Sequence, residues 1–435
     1  MIKKRKTDFN LEKLKNKKSI ISVIIVIILG ITIFSFLGKD PAESSTDDYT
    51  SALNSQKTYQ ILEGNENSAL NNSEMFTERD LEQSVDLSEA SYIELENNED
   101  VKITKEGVYV LSGEAKDTSI IIDADNEAKV QLVLNGVNIT NKDYPAIYVK
   151  SADKVFITLT DDNYMEVSGV YVDDGDTNLD AVIFSKDDLT FNGNGTLEIM
   201  TATGNGITSK DDLKITGGTY FVTSPEDGLE ANDSIRIAGG NINIDSDKDA
   251  LHSENEDDSS LGFVYISGGT LNITAKDDGI QGTSIVQIDG GIINIKTSTE
   301  GIEGTYIQIN GGEIDIYATD DGINATAKST VFNVLIEVNG GIINVEVQGN
   351  DVDGFDSNGN IIINDGTINI IYPTQAPSSS FDPNGTAELN GGTVTVNGEI
   401  ITEIVESQMG PGGGMRGGGG MMPFDGTMTP PQRNF

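Results

Sequence analysis

Residues 278–299 read DGIQGTSIVQIDGGIINIKTST and residues 300–320 read EGIEGTYIQINGGEIDIYATD, so the second stretch repeats the first almost position for position. An acid–glycine pair opens each unit, and apolar residues then alternate with polar ones on both sides of a glycine doublet. Period-two alternation marks strands with one buried face. The doublets begin at Gly217, Gly239, Gly268, Gly290, Gly311, Gly340 and Gly391, with Asp365-Gly366 in the missing place, which sets a unit of about 22 residues. Two longer units carry insertions, at 254–260 and around 327–333, and insertions at one point of a repeat are loops on one side of a stack.

Three short strands per unit, joined at glycine-permitted bends, predict an all-β parallel β-helix. Its coils should hydrogen-bond to one another at about 4.8 Å and stack Ile and Val into one continuous core. A sandwich would join its strands by variable hairpins and would not bring the same motif back in phase. Looser strands, GVYVLSG, TSIIIDA, VQLVLNGVNIT, AIYVKS and KVFITL, carry the theme back to residue 92 and set the β-helix domain at 92–398.

The flanks read differently. Residues 1–19 hold eight bases against two acids, a cytoplasmic basic segment. Residues 20–37, IISVIIVIILGITIFSFL, carry no charge and as a helix would reach about 27 Å, enough to span a bilayer. The positive-inside rule makes this a single-pass membrane anchor with the C-terminal domain outside the cell; a cleaved signal peptide is the rival reading, against which stand the length of the apolar run and the lack of an A-x-A site after it. Residues 38–91 are acidic and poor in large apolar side chains, a disordered stalk. Residues 399–435 form a tail of Gly, Met and Pro low complexity.

With 28 Lys and Arg against 70 Asp and Glu, a net charge of −42, the chain cannot line cations along phosphates, which excludes nucleic acid. The absence of cysteine excludes disulfides and thiolate sites, and the single histidine, His252, excludes a two-histidine metal site. Any metal should therefore be hard and held by oxygen.

Acids recur at one phase of successive units: Asp227, Asp278, Glu300, Asp321 and Asp353 before Gly, Asp180 and Asp249 before Ala, with Asn205 breaking the column once. Three residues on stand Glu230, Gln281, Glu303, Asn324 and Asp356. In register, neighbouring carboxylates would lie about 5 Å apart and repel by about 1 kcal/mol per pair in water, more where solvent is poor. Such a column calls for Ca²⁺, which takes six to eight oxygens in flexible geometry. The alternative is that the carboxylates only cap backbone amides at a coil corner. A second acidic pattern, SKDDL at 185–189 and 209–213, stacks Asp187, Asp188, Asp211 and Asp212. Alternation places Phe221, Tyr265, Tyr306 and Tyr317 outside the coil. The column Asn243, Asn272, Asn294, Asn344 and Asn369 reads as a structural amide ladder, and His252 as an ordinary surface residue.

GVYVLSG, VQLVLNGVNIT, AIYVKSADKVFITL, the doubled SKDDL, KITGGT, DGLEANDSI and GFVYISGGTLNITAKDDGIQ together resemble the clostridial family of carbohydrate-binding-domain-containing proteins over residues 92–398. The resemblance implies a right-handed parallel β-helix of pectate-lyase-like architecture, calcium between coils, and binding of cellulose and of acidic plant polysaccharide such as polygalacturonate. Members look similar in their Gly/Met-rich tail. This chain departs in its strong N-terminal anchor, in Asn205 where an acid is usual, and in His252 where the column is commonly lysine.

The expected function is calcium-dependent binding of acidic cell-wall polysaccharide by a monomeric, non-enzymatic cell-surface protein, with the outward Phe221, Tyr265, Tyr306 and Tyr317 as sugar-stacking candidates and the absence of Trp favouring soluble acidic chains over flat cellulose. A polysaccharide lyase is the enzymatic alternative, with Arg236, Lys186, Lys210 and Lys214 as candidate bases. A purely structural spacer is the third.

Overall fold

A computed structural model describes residues 68–375 and 377–404. These form a parallel β-solenoid of about twelve turns with almost no helix, in agreement with the fold read from the repeats. One coil shows the plan: Leu229–Ala231, Ser234–Ile237 and Asn241–Ser246 are its three strands. They pair in parallel with Leu251–Ser253, Phe263–Ile266 and Thr270–Ala275 of the next coil, so that Leu229 lies on Leu251, Ile235 on Val264 and Ile242 on Leu271. Three parallel sheets therefore run along the rod: a carboxylate sheet, a second sheet before each glycine doublet, and an asparagine sheet after it. Each sends alternate residues inward, and these aliphatic residues, buried throughout, form one core from Leu95 to Val394.

Why a doublet, and not a single glycine, is visible at each corner. The second glycine sits at positive φ in every coil from Gly218 (90°) to Gly392 (78°), where a Cβ is penalised. The first lies against the previous coil: a Cβ on Gly239 would meet the Thr216 carbonyl oxygen at 2.7 Å, and one on Gly268 the Ala238 oxygen at 2.6 Å. Asp365 replaces only the first member, and Gly366 keeps the positive φ of 112°.

Residues 68–90, assigned by composition to a disordered stalk, are ordered. They cross the outer face of the second sheet as a strap whose only helical feature is the 3₁₀ turn Asn72–Glu74. Ala69, Leu70 and Met75 are buried against Phe263, Tyr265, Ile285 and Phe332, apolar residues that face outward from the coil and would otherwise meet water. Few large side chains suffice here because the rod supplies the other half of the core. At the other end, Glu399–Ile401 pairs antiparallel with Thr393–Val396, so regular structure continues beyond the expected boundary at residue 398. Among the described residues no helix is long and apolar enough to cross a membrane; the expected anchor at 20–37, the basic segment at 1–19 and the tail beyond residue 404 lie outside the described residues.

Candidate cation-binding column

Register places the acids as the repeats suggest, and their bonding joins both readings of the column. One oxygen of Asp227, Asp249, Asp278 and Asp321 accepts the amide of the next column residue: Asp249 N–H donates to Asp227 Oδ1 at 3.1 Å, Asp278 N–H to Asp249 Oδ1 at 2.8 Å, Glu300 N–H to Asp278 Oδ1 at 3.4 Å, and Asp353 N–H to Asp321 Oδ1 at 2.7 Å. Asn205 fills the same place, its Oδ1 accepting from Asp227 N–H at 2.9 Å, so an amide serves the ladder as well as an acid does. The capping role is thus real, and it leaves the second oxygen of these four aspartates, and both oxygens of Glu300, to find another partner.

Those second oxygens divide the column. Asp278, Glu300 and Glu303 each bring a carboxylate oxygen within 4.8 Å of the others. Gln281 Nε2 donates to Asp278 Oδ2 and Glu303 Oε2, both at 2.8 Å, Lys328 Nζ pairs with Glu303, and Asn324 Nδ2 donates to Glu300 Oε1 at 2.9 Å. Glu300 Oε2 and Asn324 Oδ1 are buried without a hydrogen-bond partner. Burial, then the charges of Asp249, Glu300 and Glu303, push the Asp278 carboxyl up to about 9. Burial and Glu303 push Glu300 up to about 7. Asp321 is raised to about 8, by burial against the opposing Asp353 amide bond and then by Asp356 and Asp320. An all-oxygen donor set with orphaned acceptors and carboxyls that resist ionising fits a hard divalent cation.

As at Glu303 with Lys328, the protein supplies cations of its own elsewhere in the column. His252, expected on the surface, sits in the column with Nδ1 at 3.0 Å from Asp227 Oδ2 and 3.7 Å from Asp249 Oδ2. Burial would lower its pKa, but the bond to Asp227 and the charges of Asp227, Asp249 and Glu230 outweigh it and hold the ring up at about 9. Glu230 is satisfied by Asn205, Thr208 and Lys210. Asp180 Oδ1 is buried and unpartnered, and burial raises that carboxyl to about 6.

The SKDDL acids come together and also have partners of their own. Asp188, Asp211 and Asp212 do cluster, but Asp212 pairs with Arg236 at 2.9 Å and with Lys214 at 3.6 Å, while Asp187 Oδ2 accepts the Ala152 amide at 3.0 Å. At the far end, Asp353, Asp356 and Asp382 converge. Asp382 was not singled out from the sequence, although FDPNG at 381–385 repeats FDSNG at 355–359 and puts Asp382 beside Asp356.

The aromatic candidates separate onto two faces. Phe221, 46% exposed, and Tyr317 lie on the asparagine sheet, where Tyr317 helps line an open groove of about 540 Å³ with Asn294, Asp315, Asn344 and Glu346. The amides there form the expected ladder: Asn272 donates to Asn243 and Asn294 to Asn272, both at 3.1 Å. Tyr265 and Tyr306 lie on the second sheet instead. The strap buries Tyr265, whose hydroxyl donates to Asp289 at 2.8 Å, and half-buries Tyr306, bonded to Glu337 at 2.5 Å. Alternation places a side chain outside its coil but does not say what covers it. Of the candidate lyase bases, Lys214 and Arg236 are buried under the same strap, Lys210 pairs with Glu230, and Lys186 donates to Thr177 at 2.7 Å.

A family profile described as a carbohydrate-binding domain-containing protein matches residues 97–351 and 298–400. A carbohydrate-binding domain-containing protein of Acetivibrio thermocellus is 46% identical over 127 residues, 28% of this chain and 44% of that protein, so the chain spans under half the length of the curated relative it matches. Among solved structures, a gadolinium derivative of the polysaccharide lyase-like protein from C. thermocellum is 35% identical, with 51% of this chain and 92% of that chain covered and a TM-score of 0.43.

Proposed function

The chain belongs to the carbohydrate-binding domain-containing protein family, and from that premise we propose that it binds acidic cell-wall polysaccharide, of the polygalacturonate kind, through calcium held on the carboxylate column. The carrying observation is the group Asp278, Glu300 and Glu303, with Glu300 Oε2 and Asn324 Oδ1 buried and unpartnered beside it. A polyuronate and a chain of net charge −42 repel each other. A divalent ion that keeps open coordination positions removes the repulsion locally and can accept sugar carboxylates in them. The open groove around Tyr317 and the exposed Phe221 ring offer neutral sugar faces an apolar surface, which extends the reading to cellulose. Displayed from an anchor at residues 20–37, such a rod would hold the cell to plant wall. No catalytic residue is assigned.

Polygalacturonate beads should retain the protein in millimolar calcium and release it in chelator, and Glu300→Gln with Glu303→Gln should weaken retention about tenfold or more, given the loss of two charged ligands. Retention that chelator leaves unchanged would remove the bridging idea, and ultraviolet absorbance from unsaturated uronate products would favour the lyase. Within the column, His252→Gln should add one calcium ion to the stoichiometry read by calorimetry at neutral pH, because the imidazolium no longer occupies the Asp227–Asp249 interval.

A further inference from the structure

The second sheet's outer face is unlike the rest of this acidic rod. From coil to coil its central outward positions run Phe156, Thr190, Lys214, Arg236, Tyr265 and Gln287. Three cations, Lys154, Lys214 and Arg236, lie buried there with one acid of the sheet, Asp212, which pairs with Arg236 at 2.9 Å and Lys214 at 3.6 Å. Cations, aromatic faces and amide side chains in line are what a sugar acid needs: charge for its carboxylate, a flat surface for its ring, donors and acceptors for its hydroxyls.

The strap supplies these contacts from within the molecule. Its Asp80 is wholly buried, with Oδ1 accepting from Lys154 Nζ at 2.6 Å and from Thr190 at 2.9 Å, and with Lys214 Nζ 3.9 Å from Oδ2. Arg79 lies 4.0 Å over the Phe156 ring, Arg236 Nη1 donates to the Met75 carbonyl at 3.2 Å, and Gln287 Oε1 accepts the Leu70 amide at 2.7 Å. The strap is not a strand of the sheet; it is held by side chains. It can therefore leave without breaking a ladder bond between coils.

We propose that this covered face is a second, calcium-independent groove for uronate-bearing oligosaccharides, that Asp80 stands where a sugar carboxylate would sit, and that the strap is the lid that ligand must displace. Successive coils repeat at about 4.8 Å, a length comparable to one hexuronate residue, so a chain lying along the rod would meet each row in turn. The strap competes as an intramolecular ligand, and the affinity seen by an added sugar is reduced by the fraction of molecules with the strap open. This goes beyond the calcium-bridged reading and does not depend on it.

The test uses the full chain in chelator, which silences any calcium bridge, and two strap variants: Asp80→Asn, which leaves Lys154 without its anion and Lys214 with Asp212 alone, and Leu70→Ser with Met75→Ser, which weakens the apolar end. Hydrogen exchange at the Ala69 and Leu70 amides, which donate to Gln308 and Gln287 of the rod, reports release, and calorimetry with oligogalacturonate reports binding. Faster exchange should coincide with oligogalacturonate affinity about tenfold or more above wild type, and adding Lys154→Gln and Lys214→Gln to Asp80→Asn should abolish the gain. Unchanged exchange in both variants, release without gained binding, or equal binding of polyglutamate of the same length would each overturn the proposal. Loss of calcium-dependent retention alone would count against the bridged site and leave this one standing.

Discussion

In chelator, the solenoid should lose stability as pH rises from about 5 to about 9, by an amount on the order of 5 kcal/mol or roughly 10 °C in Tm, and millimolar calcium should abolish that loss. The sign follows from proton counts. Asp278, Asp321 and Glu300 titrate at about 9, 8 and 7 in the folded chain, against ordinary values of 3.8 for the aspartates and 4.5 for the glutamate. Between those limits the folded state binds more protons than the unfolded one, so raising pH favours unfolding. His252 acts in the same direction: with its folded value raised to about 9 from 6.5, its contribution is complete below 6.5 and is lost as pH climbs through 9. Asp80 acts at the other extreme. Burial would raise it, but Lys214 and Lys154 hold it at about 2, so its contribution is present above 3.8 and is lost only as pH falls through 2. On the proposed function calcium would replace the protons on the column, and its binding should release protons measurable in weakly buffered solution. A melting temperature in chelator that is flat from pH 5 to 9 would mean that these carboxylates are not in conflict.

Gly301→Ala should destabilise the rod by about 3 kcal/mol or more, on the scale of severe core overpacking. An added Cβ would lie 2.3 Å from the Gly322 carbonyl oxygen and 2.4 Å from Ile316 Cγ2, and the first is backbone of the next coil, fixed by its own ladder. Gly228, Gly279 and Gly322 meet the same carbonyl row. Gly175→Ala is the internal control: nothing lies within 4 Å of its Cβ position and only its φ of 64° opposes the change, so about 1 kcal/mol is expected. Denaturant midpoints of the two variants check the difference, and equal midpoints would show that the coils can separate to admit a methyl group.

Residues with one local or periodic cause were legible. Ile302 had to face inward because it alternates with polar neighbours, and Gly312 had to be glycine because the corner needs positive φ. The column acids were legible as a column, because equal repeats stack equal positions. What they bond was less so: Glu303 meets Lys328 from an insertion, and Asp227 meets His252 from the next coil, a substitution inside an otherwise regular repeat. The strap escaped composition altogether, since residues 68–90 hold too few apolar side chains for a core of their own.

By itself, the sequence determined the solenoid, its corner glycines, its three inward faces and its stacked acids, because a repeat encodes backbone conformation and burial afresh in every unit. Only the tertiary structure decided which outward faces are free. Ala69 finds Gln308, Leu70 finds Gln287 and Asp80 finds Lys154 across 239, 217 and 74 residues of chain. No period links such partners, and folding alone brings them together.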